Sequence, residues 1–121
     1  MIIGINHVQV TIPKGAEVQA RQFYGVILGL TELEKPESLK KNGGLWFALG
    51  NLQVHLGCED NAHRQQSKAH IAYQVSDIQW WRSRFAQYGV PVKENIPVPG
   101  FDRFDIRDPF GNRLEFMQAV Q

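Results

Sequence analysis

The sequence is poor in the residues that build covalent frameworks and in the runs that build membrane spans. It has a single cysteine, Cys58, among 121 residues, so no intrachain disulfide can form and a reducing compartment suits it. No apolar stretch approaches the ~20 residues that a membrane helix needs. Formal net charge is +1 and the basic residues are scattered instead of striped, so the electrostatic footprint of a nucleic-acid binder is missing. No Gly-x-Ser-x-Gly elbow, glycine-rich phosphate loop or Cys-x-x-Cys pair occurs. No basic leader precedes the first strand-like run. These absences leave the expectation of a soluble cytoplasmic protein that binds neither nucleic acid nor membrane. A chain of this length buries roughly two thirds of its unfolded surface, enough to fold as one compact domain.

What is present is a set of short alternating runs with a ligand-type residue in the middle of each. His7 sits in Ile5-Asn6-His7-Val8-Gln9-Val10-Thr11-Ile12, His70 in Ala69-His70-Ile71-Ala72-Tyr73-Gln74-Val75, and Glu115 in Arg113-Leu114-Glu115-Phe116. Strand side chains alternate between two faces. Val8, Val10 and Ile12 therefore oppose His7 and Gln9; Ile71, Tyr73 and Val75 oppose His70 and Gln74; Leu114 and Phe116 oppose Arg113 and Glu115. Each apolar set can pack on a helix, which puts the imidazole or carboxylate on the other face. Two imidazoles and a carboxylate form a metal-ligand set, and Zn, Ni, Mn or Fe(II) all suit it.

The order of elements repeats. A strand over 3–12 is followed by a helix over 15–28, with Val18, Phe23, Ile27 and Leu28 available to pack and Gly29 as its C-terminal cap. An extended piece near 31–35, a polar turn at 40–44, and strands 45–49 and 52–57 about a Gly50-Asn51 hairpin complete a βαβββ plan over 1–57. Residues 58–67 are polar and read as a linker. Over 68–121 the plan recurs: strand 68–75, a Ser76-Asp77 N-cap, helix 78–88 ended by Gly89, an extended piece near 92–96, and strands 101–107 and 113–118. His7 then corresponds to His70, and the hairpin carrying His55 to the one carrying Glu115. The expected architecture is α+β, two βαβββ modules whose curved mixed sheets form one domain around a shared cup. His7, Gln9, Trp46, Gln53, His55, His70, Gln74, Arg113 and Glu115 are its candidate lining, joined by Arg103 and Asp105 if strand 101–107 keeps its alternation.

Each of these residues also has a plainer reading. A histidine in a strand is often a packed core residue. His55 can be a fourth ligand, a general base or a donor that orients another ligand. Trp46 can stack on a ligand or fill the cup. Arg103 and Arg113 can hold an anionic group or pair with Asp105 or Asp108. Trp80 and Trp81 are expected to divide, one against the sheet and one partly exposed. His63 falls in the linker and is expected to be solvated. Cys58 lies beside Glu59 and Asp60, which disfavour a thiolate and hence a nucleophilic role.

The segments Ile5–Val10, Phe23-Tyr24 with Leu28-Gly29-Leu30, Ala69–Tyr73, and above all Asp108-Pro109-Phe110-Gly111-Asn112-Arg113-Leu114-Glu115-Phe116 resemble the vicinal oxygen chelate superfamily, the glyoxalase/bleomycin resistance/dioxygenase group. The resemblance spans the whole chain. It implies paired βαβββ modules curved around a divalent metal, with His7, His70 and Glu115 at the metal positions. It also implies a homodimer, in which His7 and His55 of one copy meet His70 and Glu115 of the other. In glyoxalase I the position of His55 is usually glutamate. Fosfomycin-modifying transferases carry a tyrosine at the position of Asp105 and a substrate-binding region beyond the last strand, so antibiotic modification is not expected here. Extradiol dioxygenases share the ligand set with ferrous iron in longer chains, whereas bleomycin-binding members lack the ligands. The resemblance therefore implies a metal-dependent lyase, isomerase, transferase or dioxygenase acting on a small oxygen-rich substrate. The alternative is a protein that sequesters a small molecule in the same cup without turnover.

Overall fold

The computed structural model describes residues Met1–Val120, which form two compact units, Met1–Ala62 and the chain from His63 onward. Each unit holds one four-stranded mixed sheet, and the two sheets have the same plan. In the first, β1 (His7–Ile12), β2 (Thr31–Leu33), β3 (Leu45–Leu49) and β4 (Leu52–Cys58) lie in the order β1-β4-β3-β2. In the second, β5 (His70–Gln74), β6 (Lys93–Glu94), β7 (Phe101–Arg107) and β8 (Arg113–Ala119) lie in the order β5-β8-β7-β6. The first strand of each unit runs parallel to the last and all other pairs are antiparallel. The expected α+β architecture of two βαβββ modules is thus the fold.

The first helix departs from its expected form. Only Glu17–Ala20 is α-helical (α1), and Arg21–Ile27 continues as a π-helix that ends at Gly29, where φ is +75°. Wide turns close it, with Leu28 N–H donating to Phe23 C=O at 2.9 Å. The packed set is Ala20, Phe23, Tyr24, Ile27 and Leu28, all buried, while the expected packing residue Val18 is 79% exposed. The i, i+3, i+4 series that faces the sheet runs through Ala20, and a residue two positions earlier falls on the opposite side.

A one-turn helix α2 (Glu37–Lys40) precedes the expected polar turn, which needs φ near +72° and +85° at Gly43 and Gly44. A Cβ on Gly44 would stand 2.1 Å from the Leu56 carbonyl oxygen, so no other residue fits beside β4. Residues 1–6 stay outside the sheet, so β1 begins four residues later than expected. The polar segment before β5 is not uniformly solvated: it forms a short 3-10 turn, Arg64–Gln66, with Arg64 buried.

In the second unit the helix is ordinary. α3 (Ile78–Gln87) starts at Asp77, whose carboxylate accepts from Trp80 N–H at 3.1 Å, and ends at Gly89 with φ +69°. Its Phe85 is fully buried against Phe104 and Phe116. Trp81 packs on Phe116, while Trp80 is 51% exposed, the division anticipated for the pair. Asp108 builds the turn between β7 and β8 by accepting from the backbone N–H groups of Phe110 and Asn112.

The strand registers settle which residues are equivalent. His7 faces Gln53, and His70 faces Arg113; Gln9 faces His55, and Ala72 faces Glu115. Trp46 faces His55, and Asp105 faces Glu115. His55 and Glu115 therefore occupy the same place, as do Trp46 and Asp105. The chain from Asp105 to Glu115 is one residue longer than that from Trp46 to His55, which masks this match in the sequence.

Candidate metal centre

In the first unit the ligand-type side chains meet as stacked rings. Gln9, His55 and Trp46 form one row across β1, β4 and β3. The His55 imidazole lies between two others: His7, with ring centroids 4.0 Å apart and planes 13° from parallel, and Trp46, at 4.1 Å and 5°. His7 is exposed at the strand start, whereas His55 is 5% exposed. Each imidazole is oriented by a polar neighbour. His7 Nδ1 lies 2.9 Å from Asn6 Oδ1, and His55 Nε2 lies 2.8 Å from Gln53 Oε1. Both partners are acceptors, so these nitrogens carry the protons and the opposite nitrogens are left as lone-pair donors. Burial, then the nearby His7 and Lys35, hold the His55 pKa below its ordinary value. His55 is therefore a neutral imidazole at physiological pH.

The same side of this unit carries a cavity of about 650 Å³ whose walls include His7, Gln9, Trp46, Gln53 and His55. Lys35 reaches into its rim and donates to the Gly43 carbonyl. Gly57 leaves room for Gln9, since a Cβ there would come within 2.8 Å of the Gln9 amide. Cys58 also borders the cavity. Its thiol donates to Glu17 Oε1, and burial together with Glu17 pushes its pKa up, which keeps it protonated. The acid acting on Cys58 is thus Glu17, from α1, in place of the adjacent Glu59 and Asp60.

In the second unit the equivalents of His55, Trp46 and Gln53 are the charged residues Glu115, Asp105 and Arg113. His70 Nε2 lies 3.0 Å from Glu115 Oε1, and the other carboxylate oxygen accepts from Arg103 Nη1 at 2.9 Å. Arg103 is itself anchored by two N–H donations to the Ile96 carbonyl. Arg113 donates to Asp105 Oδ2 at 2.7 Å. Both arginines therefore form ion pairs within the unit, Arg103 with Glu115 and Arg113 with Asp105. Gln74 is exposed at the end of β5.

The structure gathers the expected residues as two pairs, His7 with His55 and His70 with Glu115. Among the described residues no three His, Cys, Asp or Glu side chains form a metal-holding group. His63 is exposed beside the Arg64–Gln66 turn and takes no part. Three contributors escaped the sequence reading. Asn6 was legible as a polar neighbour of His7, but Lys35 and the Lys68 carbonyl act from loops, where periodicity carries no information. That carbonyl lies 2.9 Å from His70 Nδ1.

Fold and site define a class. The sequence profile of the Glyoxalase/Bleomycin resistance protein/Dioxygenase superfamily matches residues 4–116. A glyoxalase family protein from Bacillus anthracis superposes with a TM-score of 0.92 at 43% identity, covering 99% of this chain and 98% of that one. This chain belongs to that superfamily. More distant structures share the fold. The fosfomycin resistance protein FosX from Listeria monocytogenes, as a variant solved with Mn(II) and 1S,2S-dihydroxypropylphosphonic acid, has a TM-score of 0.82 at 20% identity over 99% of this chain and 95% of its own. Lactoylglutathione lyase from Agrobacterium tumefaciens has a TM-score of 0.73 at 21% identity over 95% and 92%. No protein of curated function matches the sequence. No helix is long and apolar enough to cross a membrane, among the described residues.

Proposed function

We propose that the protein is a divalent-metal-dependent enzyme whose small, oxygen-rich substrate is chelated by the ion, with His7, His70 and Glu115 as its ligands. One observation carries this reading. His70 Nδ1 faces only the Lys68 carbonyl, an acceptor, so its proton is there and the Nε2 lone pair points at a carboxylate oxygen 3.0 Å away. Two electron pairs facing each other require a cation, either a proton or a metal ion. An Nδ1–H bond to a carbonyl is the arrangement that fixes a metal-ligating histidine. The observed separation is also that of two ligands at right angles on one ion bound at roughly 2.1 Å, as in an octahedral site. The residues present therefore fit a divalent ion.

When bound, such an ion stabilises negative charge that develops on a substrate oxygen. The chain supplies the rest. His55, neutral and holding its proton at Nε2 toward Gln53, offers Nδ1 as a proton acceptor or as a fourth ligand. Trp46 holds the ring in one plane. Because the candidate ligands fall as pairs in the two units, we place the complete set across a homodimer, the first unit of one copy completing the second unit of the other.

Metal analysis of protein purified without chelator tests this. One divalent ion per chain, lost in His70→Ala and in Glu115→Ala, is the expected result. Retention unchanged in both variants would mean the site lies elsewhere. Iron in the wild type would direct assays to dioxygenase chemistry, and Zn, Ni or Mn to lyase, isomerase or transferase chemistry. A second reading, sequestration of a small molecule without turnover, draws on the 650 Å³ cavity with Trp46 in its wall. Failure to take up any divalent ion after reconstitution would favour it.

A further inference from the structure

The residues ahead of β1 form an apolar arm. Met1, Ile2, Ile3 and Ile5 all stand in solvent, with Ile2 and Ile3 95% and 97% exposed. A Cβ on Gly4 would meet nothing within 4 Å. Hydrogen bonding to the sheet reaches back only to Asn6, whose carbonyl accepts from Gln53 N–H at 3.1 Å. Single exposed apolar residues are ordinary, but a contiguous run marks a surface that something covers. Four such side chains offer on the order of 400 Å² of apolar area. That is about half of what one partner contributes to a standard protein interface.

A matching surface stands on the second unit and is bare in the same chain. Ile96, Val98, Phe101 and Val120 are exposed there. They gather at one end of β7, where Val98 bridges Phe101 and Val120 N–H donates to the Gly100 carbonyl. Phe101 pairs with Ala119 and Asp105 with Glu115, so alternation puts Phe101 on the face that carries Glu115. Ile96 is tied to the same carboxylate, because its carbonyl holds Arg103, which donates to Glu115. The spans also agree. Phe101 stands about 13 Å along β7 from Asp105, and an extended arm puts Ile3 about 13 Å from His7.

We propose that the arm docks on this patch of a second copy, so that two exchanged arms clasp a homodimer. Arm and patch have the same apolar chemistry, and each faces water in a single chain. The arm runs directly into His7, so its docking carries that imidazole toward the other copy's pair of His70 and Glu115. This consequence rests on the dimer and metal reading above; the docking itself needs no metal.

Sedimentation equilibrium of the whole chain in chelator tests the docking. Wild type is expected to be a dimer at micromolar concentration. Each isoleucine taken from water into an apolar contact shifts the dimer constant about tenfold. Ile2→Ser/Ile3→Ser/Ile5→Ser should therefore weaken the dimer about a thousandfold, and Ile96→Ser/Phe101→Ser about a hundredfold. All five side chains are exposed, so neither variant disturbs a packed core. The combined variant should be no weaker than the arm variant, because both sets of changes remove one contact. In dimers of one isotope-labelled and one unlabelled chain, filtered NMR spectra should connect the arm's isoleucine methyl groups to the Phe101 ring across the two chains.

A monomeric wild type would overturn the proposal, including one whose arm instead carries it onto phosphatidylglycerol vesicles. So would a wild-type dimer constant in the arm variant, losses that multiply in the combined variant, or contacts between arm and Phe101 confined to one chain. Metal content is measured in parallel. A dimer that depends on its arm but takes up no ion keeps the docking and removes the metal reading. A monomeric wild type holding one ion per chain, lost in His70→Ala, removes the docking and keeps the metal ligands.

Discussion

Two faces of one molecule occupy the same backbone positions and use opposite chemistry. His7 and His55 in the first unit stand in the same diagonal relation as His70 and Glu115 in the second. In the first, the contact is ring on ring, extended by Trp46. In the second, the contact is nitrogen to carboxylate, extended by Arg103, with Asp105 and Arg113 at the places of Trp46 and Gln53. A stack of rings tolerates partial exposure and gains from dispersion and burial. A network of charges holds only while every member is paired. A duplicated fold fixes where two ligand pairs stand, and the residues around each pair decide how it is held before any ion arrives.

The comparison breaks most severely at Glu115. Its removal in Glu115→Ala strands the Arg103 guanidinium, whose side chain is 19% exposed. A loss of about 3 kcal/mol in urea unfolding is expected from leaving one buried partner alone, and Glu115→Gln should recover part of it. A loss under about 1 kcal/mol would show that Arg103 is satisfied by the Ile96 carbonyl.

Transplanting the second chemistry into the first unit comes next. His55→Glu puts a carboxylate at a position 5% exposed where Trp46 and Gln53 offer no cation. We expect destabilisation of about 2 kcal/mol at neutral pH, relieved as the pH falls and the carboxyl takes up a proton. Relief on raising the pH instead would mean that Lys35 reaches the new carboxylate.

The helices differ too. Asp77 caps α3 with its side chain, whereas α1 begins at Ala16 without a side-chain cap. Asp77→Ala should cost about 1 kcal/mol in thermal or urea unfolding. An unchanged midpoint would mean that the contacts of Phe85 and Trp81 alone set the start of this helix.

The smallest effect is the pH dependence carried by His55. Its folded pKa is lowered, chiefly by burial, so the unfolded chain binds the extra proton more readily. Its contribution to stability is present above the unfolded value of about 6.5 and is lost as the pH falls through the folded one. His55→Gln should flatten this acid-side decline, read as melting midpoints between about pH 5 and 8. An equal slope in both proteins would assign the decline to other groups.

Much of this was written in local pattern. Alternation placed His7, His70 and Glu115 opposite the apolar residues of their strands, and Gly29, Gly89 and Asp77 marked the helix ends because caps depend on one or two residues. Arg113 makes the ion pair with Asp105 that the sequence offers, whereas Arg103 pairs with Glu115, a partner outside the expected Asp105 and Asp108. The π-helix over Arg21–Ile27 was not legible, since it keeps the helical spacing of apolar residues while changing the hydrogen bonds. The match of His55 with Glu115 is blurred by one extra residue between Asp105 and Glu115, and only strand pairing resolves such a slip.

The sequence by itself determined the duplicated plan, the strands, and the face on which each ligand-type residue stands, because these follow from periods of two and 3.6 residues and from short-range turn chemistry. Tertiary structure alone decided the partners. It put His70 on Glu115, Arg103 on Glu115, and Trp46 flat on His55. Such contacts join residues of different strands, and only the pairing and packing of strands brings them within hydrogen-bonding or stacking range.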